Sequence, residues 1–194
     1  MTTFYICRHG QTENNKNGRL SGWIDTPLTD EGIKNAGSSA AKLHGVHLDK
    51  IISSDLGRAL HTAYIIARKT GFPGEIETSR GLREVNYGGH LANSPVGDYP
   101  QLTPEENADF VPEGGESLRQ MQTRVLAAIN GIAQANPGKT ILLVAHDGPI
   151  NAVRSSLSGE NIGLTDAAGL NPHDLVAKFE FDEGKIASFD ELQS

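Results

Sequence analysis

The 194-residue chain is 37% hydrophobic and 21% charged, the balance of an ordinary globular protein long enough for a sizeable core. A net charge of −7 argues against nucleic acid or an anionic membrane as partner, so any positive site must be local. The single cysteine, Cys7, excludes an intrachain disulfide; with no long apolar run and no signal-peptide pattern, the expectation is a cytoplasmic protein.

The run Phe4-Tyr5-Ile6-Cys7 reads as a buried first strand, and it stops at Arg8-His9-Gly10. In open α/β folds ligands bind at the carboxyl edge of the sheet, where this cation and imidazole would lie. The planar fork of Arg8 suits a phosphate or carboxylate, Gly10 lets the backbone approach a ligand, and Thr12 and Asn15 add neutral donors. Taken alone, Arg8 and His9 are more simply a surface ion pair and a strand cap. A loop from Glu13 to Asp25 contains Trp23, the only tryptophan.

Thr29 then reads as an N-cap, with Asp30 and Glu31 complementing the helix dipole. Ile33, Ala36, Ala40 and Leu43 recur at helical spacing until Gly45, and a short strand follows from Leu48 to Ser53. The segment Ser53 to Ala63 repeats the opening design: a strand ends, Ser54 and Asp55 offer capping oxygens, and Arg58 enters the first turn of a helix. That arrangement is an anion site at a helix N-terminus. An i, i+3 pair of Asp55 with Arg58, worth only about 0.2–0.5 kcal/mol, explains the same residues equally well. The helix runs toward Lys69, closed by Gly71 and Pro73.

After a short strand at Glu75 to Thr78, Glu84 falls in a glycine-bounded turn, where it either faces a ligand or neutralises Arg83 or Arg80. From Val85 to Leu118 there is no Lys or Arg, while Asp98, Glu105, Glu106, Asp109, Glu113 and Glu116 are present. This Pro- and Gly-dense stretch predicts an acidic lid over the sheet edge at about residues 88–116. Leu118, Met121, Val125, Ile129 and Ile132 mark the apolar stripe of a helix stopped by Asn136-Pro137-Gly138. Thr140 to Ala145 is a fully apolar strand ending at His146-Asp147, and a short helix follows at about Pro149 to Leu157. Phe179 and Phe181 face Ile186 and Phe189 across Asp182-Glu183-Gly184 as a terminal hairpin. The alternation predicts an α/β fold, a single domain over residues 1–194.

Familiar phosphate and metal devices are missing. Gly138-Lys139-Thr140 lacks the first glycine of a P-loop and precedes a strand instead of following one. Cys7 lacks the arginine spacing of a cysteine-dependent phosphatase and reads as buried packing. His44 and His47 have no evident carboxylate partners, and His61, His90 and His173 are isolated, so no metal ligand set is expected.

Arg8, His9, Arg58 and His146, with Glu84, together resemble the histidine phosphatase superfamily, which includes the cofactor-dependent phosphoglycerate mutases. The blocks are Arg8-His9-Gly10-Gln11-Thr12-Glu13-Asn14-Asn15, Gly22 to Gly32, Ser53 to Ala59, Leu82 to Tyr87, Pro112 to Ser117 and Val144-Ala145-His146. The resemblance implies a three-layer α/β sandwich with a mostly parallel central sheet flanked by helices. It implies His9 as nucleophile, Glu84 as acid and base, and Arg8, Arg58 and His146 around the phosphoryl group. Asn15, Ser21, Gly22, Tyr87 and Asp147 would lie on the phosphate and substrate side, with no cofactor. Gln11, Asn14 and Asp147 depart from the family pattern, which has Glu, an aromatic residue and Gly there. An anion at Asp147 puts in doubt how fully the pocket is neutralised, unless it orients a neighbouring arginine or imidazole.

Family mutases hold a second phosphate with extra Lys and Arg in the insertion after the acid, and here that insertion is acidic. The expected activity is therefore hydrolysis of a small phosphorylated metabolite through a phosphohistidine, with mutase activity as the alternative. A metal-dependent hydrolase or a non-catalytic phosphate-binding protein are more remote readings.

Overall fold

A computed structural model describes residues 1–162 and 171–193. Its centre is a sheet ordered β3-β2-β4-β1-β5-β6, built from β1 (Thr2–Arg8), β2 (Lys50–Ser54), β3 (Ile76–Ser79), β4 (Thr140–Ala145), β5 (Val176–Asp182) and β6 (Lys185–Ile186). The pairs β1–β4, β2–β4 and β2–β3 are parallel, whereas β5 runs antiparallel to β1 and also pairs with β6 and with β7 (Asp190–Glu191). The expected terminal hairpin is thus present, but its first strand is also a full member of the central sheet.

Alternation along the central strands divides the core into two layers. Phe4, Ile6, Ile141 and Leu143 point to one face, where they meet α6 (Leu118–Ala135) and α7 (Asp147–Ser158). Cys7, Leu142 and Val144 point to the other, against α2 (Asp30–Lys42) and α3 (Gly57–Thr70). Both faces are covered, which is why β1 and β4 read as continuous apolar runs. Phe4 stacks on Phe179 with ring centroids 5.0 Å apart, joining β5 to the first of these layers.

Helix ends follow the local chemistry in most cases. Thr29 caps α2 through the Gly32 amide, and Ser117 caps α6 in a reciprocal pair with Gln120. Thr12 does the same with Asn15 for the one-turn helix α1 (Glu13–Lys16), inside what the sequence predicted to be loop. Met121, Val125 and Ile129 are fully buried, as the stripe predicted.

The expectation fails at the start of α3. Leu56 occupies the cap position and makes no side-chain cap bond. The Gly57 and Arg58 amides instead donate to Asp25, which arrives from the loop after Trp23. Asp55 is committed elsewhere, accepting from Arg83 Nη2 at 2.6 Å and Nε at 2.7 Å. The Asp55–Arg58 pair does not form, because a bidentate guanidinium outcompetes a local turn. The amides at this helix start go to Asp25, while Arg58 itself reaches the cavity described below.

The predicted lid exists as a chain of short pieces: α4 (Gly88–Leu91), a 3₁₀ turn (Val96–Asp98) and α5 (Pro104–Asp109). It is zipped to the segment after α1 by Leu20 N to Ser94 O (2.9 Å), Asn93 N to Leu20 O (2.7 Å) and Val96 N to Gly18 O (2.9 Å). Two of its acids are held by neighbours outside the cavity lining. Glu106 closes a capping box with Thr103, and Asp109 pairs with Arg119 of α6 at 2.7 Å.

Candidate active site

The carboxyl ends of β1 and β4 are adjacent, with Arg8 in register with Ala145 and the His9 amide donating to Ala145 O at 3.0 Å. His9 and His146 therefore leave the sheet side by side, their ring centroids 5.0 Å apart. β2 ends next to β4, so Ser54 reaches His146 Nε2 at 2.8 Å and α3 carries Arg58 in from the same edge. Parallel pairing alone thus assembles two imidazoles and two guanidinium groups. The turn after His9 needs glycine for space: a Cβ on Gly10 would lie 2.1 Å from Gly32 O at the start of α2.

His9 is held in one tautomer. The Gly10 carbonyl lies 2.8 Å from Nδ1 and can only accept, so Nδ1 carries the proton and Nε2 presents its lone pair. Arg58 Nε donates to that Nε2 at 3.2 Å. Burial, then the charges of Arg58 and Arg8, hold the His9 imidazole well below its usual range, so the ring stays neutral. His146 is lowered well below that range by burial, Arg58 and His9. Its Nδ1 is buried without a protein partner among the described residues.

The arginines are pinned by carbonyls. Arg58 Nη2 donates to Gly22 O at 2.7 Å and Nη1 to Ile24 O at 3.0 Å. Arg8 Nη1 donates to Asn171 O, and its Nε has no protein partner among the described residues. Both guanidinium groups are almost completely buried, 2–3% exposed, at the floor of a cavity of about 400 Å³.

Glu84 forms the opposite wall. Its Oε1 accepts from the Val85 amide at 2.9 Å and the Gly148 amide at 3.2 Å, and a Cβ on Gly148 would come within 2.3 Å of that oxygen. Part of Glu84 faces the cavity, but protein surrounds the carboxyl. Burial, followed by the charge of Asp147, raises it above the usual carboxylate range against the pull of the two amides and Arg58. Arg124 of α6 holds the loop beneath it, donating to Gly81 O, Arg83 O and Glu84 O at 3.0, 3.1 and 3.2 Å. Trp23 Nε1 donates to Glu84 O at 2.8 Å.

Of the residues selected from sequence, Arg8, His9, Asn15, Ser21, Gly22, Arg58, Glu84, Tyr87 and Asp147 all line this one cavity. His146 lies fully buried beneath it. The Asn15 side-chain carbonyl is taken by Thr12, which leaves its amide as the donor. Asp147 differs from its assignment to the phosphate side. Its Oδ1 accepts from Asn171 N at 2.7 Å and Nδ2 at 2.9 Å and lies 3.6 Å from Arg8 Nη1, so the carboxylate faces these donors. His173 is not isolated, since its Nδ1 donates to His9 O at 3.1 Å. Asn171 and Arg19 escaped the sequence reading, while Ser54 was read only as a cap and His173 as isolated. Asp25 in the Gly22–Gly32 block and Ser54 in the Ser53–Ala59 block carried a signal that could have been followed.

Beyond the phosphate-sized floor, the cavity is walled by Leu20, Val96, Tyr87, Tyr99 and Leu118, with Gln101, Asn107 and Arg19. Tyr87 and Tyr99 meet edge to face at 5.9 Å. The lid acids Asp98, Glu105, Glu106 and Asp109 are exposed and do not line it, so the acidity of the lid is not turned on the substrate. Counting charges along the segment could not reveal that Thr103 and Arg119 draw two of them outward.

Cationic and imidazole groups converging at the carboxyl edge of a parallel sheet, opposite a carboxyl held above its usual range, define a phosphoryl-transfer enzyme. The model of the histidine phosphatase superfamily (branch 1) matches residues 4–189, and the chain belongs to that superfamily. It is 36% identical over 170 residues to the probable phosphoglycerate mutase GpmB of Yersinia pestis, covering 82% of this chain and 76% of that one. Among solved structures it is similar to Bacillus stearothermophilus YhfR (TM-score 0.85, 28% identity, 96% and 95% of the two chains). It is also similar to a mycobacterial glucosyl-3-phosphoglycerate phosphatase in complex with VO3 (TM-score 0.79, 28% identity, 92% of each chain).

Proposed function

We propose that the protein is a phosphomonoesterase acting on a small phosphorylated metabolite with an uncharged, partly apolar remainder. One observation carries this reading: among the described residues, the wall beyond the two buried arginines is largely aromatic and aliphatic, with Gln101 and Asn107, and adds one cation, Arg19. Arg19 sits at the exposed rim, its Nη1 donating to Asn93 O at 2.5 Å. A second phosphate placed there would lack the positive field a bisphosphorylated intermediate needs. A unit charge at about 4 Å is worth roughly 4 kcal/mol at an effective dielectric of 20.

The reaction runs through two in-line displacements at phosphorus. Nε2 of His9 attacks phosphorus in line, the bond to the ester oxygen breaks, and Glu84 gives that oxygen its proton. Glu84, now a carboxylate, takes a proton from water, whose oxygen displaces Nε2 and releases phosphate. Arg8, Arg58 and His146 meet the charge on the nonbridging oxygens throughout. The two guanidinium groups supply the positive charge and the neutral imidazole of His146 a hydrogen-bonding dipole, so the reaction calls for no metal. Among the described residues no group of three or more His, Cys, Asp or Glu could hold one.

Mutase activity is the second reading, favoured by the name of the Yersinia relative and by Arg19. The test compares 2- and 3-phosphoglycerate interconversion, with bisphosphoglycerate present, against phosphate release from a monoester panel. Hydrolysis of panel members should dominate; efficient interconversion with negligible hydrolysis overturns the proposal.

A further inference from the structure

Asp147 puts a carboxylate at the one place in the phosphate pocket where an anion is least expected, yet it is only 5% exposed and fully engaged. Its Oδ1 gathers both the backbone and side-chain N–H groups of Asn171, and its Oδ2 lies 3.4 Å from Asn151 Nδ2. Asn171 in turn offers its carbonyl to Arg8 Nη1, and Asp147 Oδ1 is 3.6 Å from the same nitrogen. Asn171 Nδ2 also donates to Asn151 Oδ1 at 2.9 Å, so the network is anchored on α7. With Nη1 committed in this way, Arg8, a residue of the cavity lining, keeps its buried Nε without a protein partner among the described residues.

We propose that Asp147 is a positioning residue: through Asn171 it fixes the orientation of the Arg8 guanidinium at the floor of the phosphate pocket. The inference deepens the phosphomonoesterase reading and rests on it only where turnover is measured. A buried arginine on a flexible stem gains directional donors only when part of its fork is held, and a carboxylate-anchored carbonyl holds it better than water.

The opposing expectation is purely electrostatic. An anion beside the pocket repels phosphate, so neutralising it should tighten binding. The two accounts give opposite signs.

Asp147 also acts on the other wall. Gly148, the next residue, donates its amide to Glu84, and the charged groups facing Glu84 include Asp147, Arg58 and Arg8. Burial lowers Arg8 below its usual range, and the charges of Asp147 and Glu84 pull against that. Removing the Asp147 charge therefore moves Glu84 toward the ordinary carboxylate range. The alkaline limb of turnover on an alkyl phosphate, where Glu84 must be protonated, moves to lower pH.

The experiment measures inorganic phosphate binding by calorimetry in wild type, Asp147→Asn and Asn171→Ala, with thermal melts as the folding control. Binding needs no turnover, so it reports on Arg8 even if the hydrolase reading fails. Asp147→Asn should weaken phosphate binding by about tenfold, the scale of one well-placed charge-assisted bond. Asn171→Ala keeps the main-chain contacts and the Asp147 charge. It should weaken binding less and leave the alkaline limb in place, whereas Asp147→Asn shifts the limb. Unchanged or tighter phosphate binding in folded Asp147→Asn overturns the proposal. So does weaker binding in that variant with an alkaline limb identical to wild type, which would mark a merely structural loss.

Discussion

Replacing Arg124 with methionine tests whether the catalytic carboxyl is placed by α6 from outside the cavity. The side chain is 23% exposed and donates to Gly81 O (3.0 Å), Arg83 O (3.1 Å) and Glu84 O (3.2 Å), while pairing with Glu116 at 2.5 Å. Glu116 accepts in turn from the Asn86 amide at 3.1 Å, so one guanidinium spans both sides of the Glu84 turn. Methionine keeps much of the volume and removes every donor. Three partly buried bonds at about 1 kcal/mol net each, with little added by the solvent-facing ion pair, give a loss of about 3 kcal/mol. For a chain of this size that is a fall in Tm of about 6–12 °C. The catalytic signature depends on the leaving group. An alkyl phosphate needs the proton from Glu84, so its kcat should fall by about tenfold or more, within the share general acids contribute. An aryl phosphate with a stable phenolate leaving group should lose far less. Equal losses on the two esters, or a Tm within about 2 °C of wild type, would refute the reasoning.

His9→Ala should abolish turnover, and rapid quench of the wild type should trap acid-labile phosphate on the protein; full activity in the variant ends the covalent mechanism. Activity should survive EDTA, because the site answers negative charge with arginines and imidazoles; loss on chelation, restored by a divalent ion, would reverse that. Burial, then the charge of Arg8, lowers His173 to about 4, below its ordinary value of 6.5. A depressed folded-state value makes the unfolded chain the stronger proton binder, so stability present at neutral pH is lost as pH falls from about 6.5 toward 4. His173→Asn should flatten that part of the Tm-versus-pH curve, and an unchanged slope would show that His173 does not titrate as its surroundings imply.

The sequence by itself determined the local and the periodic. Apolar runs gave β1 and β4, the 3.6-residue stripe gave α6, and Thr29 and Ser117 marked helix starts because capping depends on residues within one turn. It also pointed to most of the cavity floor, since Arg8, His9 and His146 sit at strand ends, and parallel pairing carries strand ends to one edge. What it could not determine were partners chosen across long separations. Asp25 capping α3, Asp55 taken by Arg83, the lid acids turned outward, and Asp147 bound to Asn171 and Arg8 are each settled by which donor arrives in space. A charge in the sequence has a sign but no direction. Only the placement of α7 and Asn171 beside β1 directs the Asp147 carboxylate toward Asn171 and Arg8.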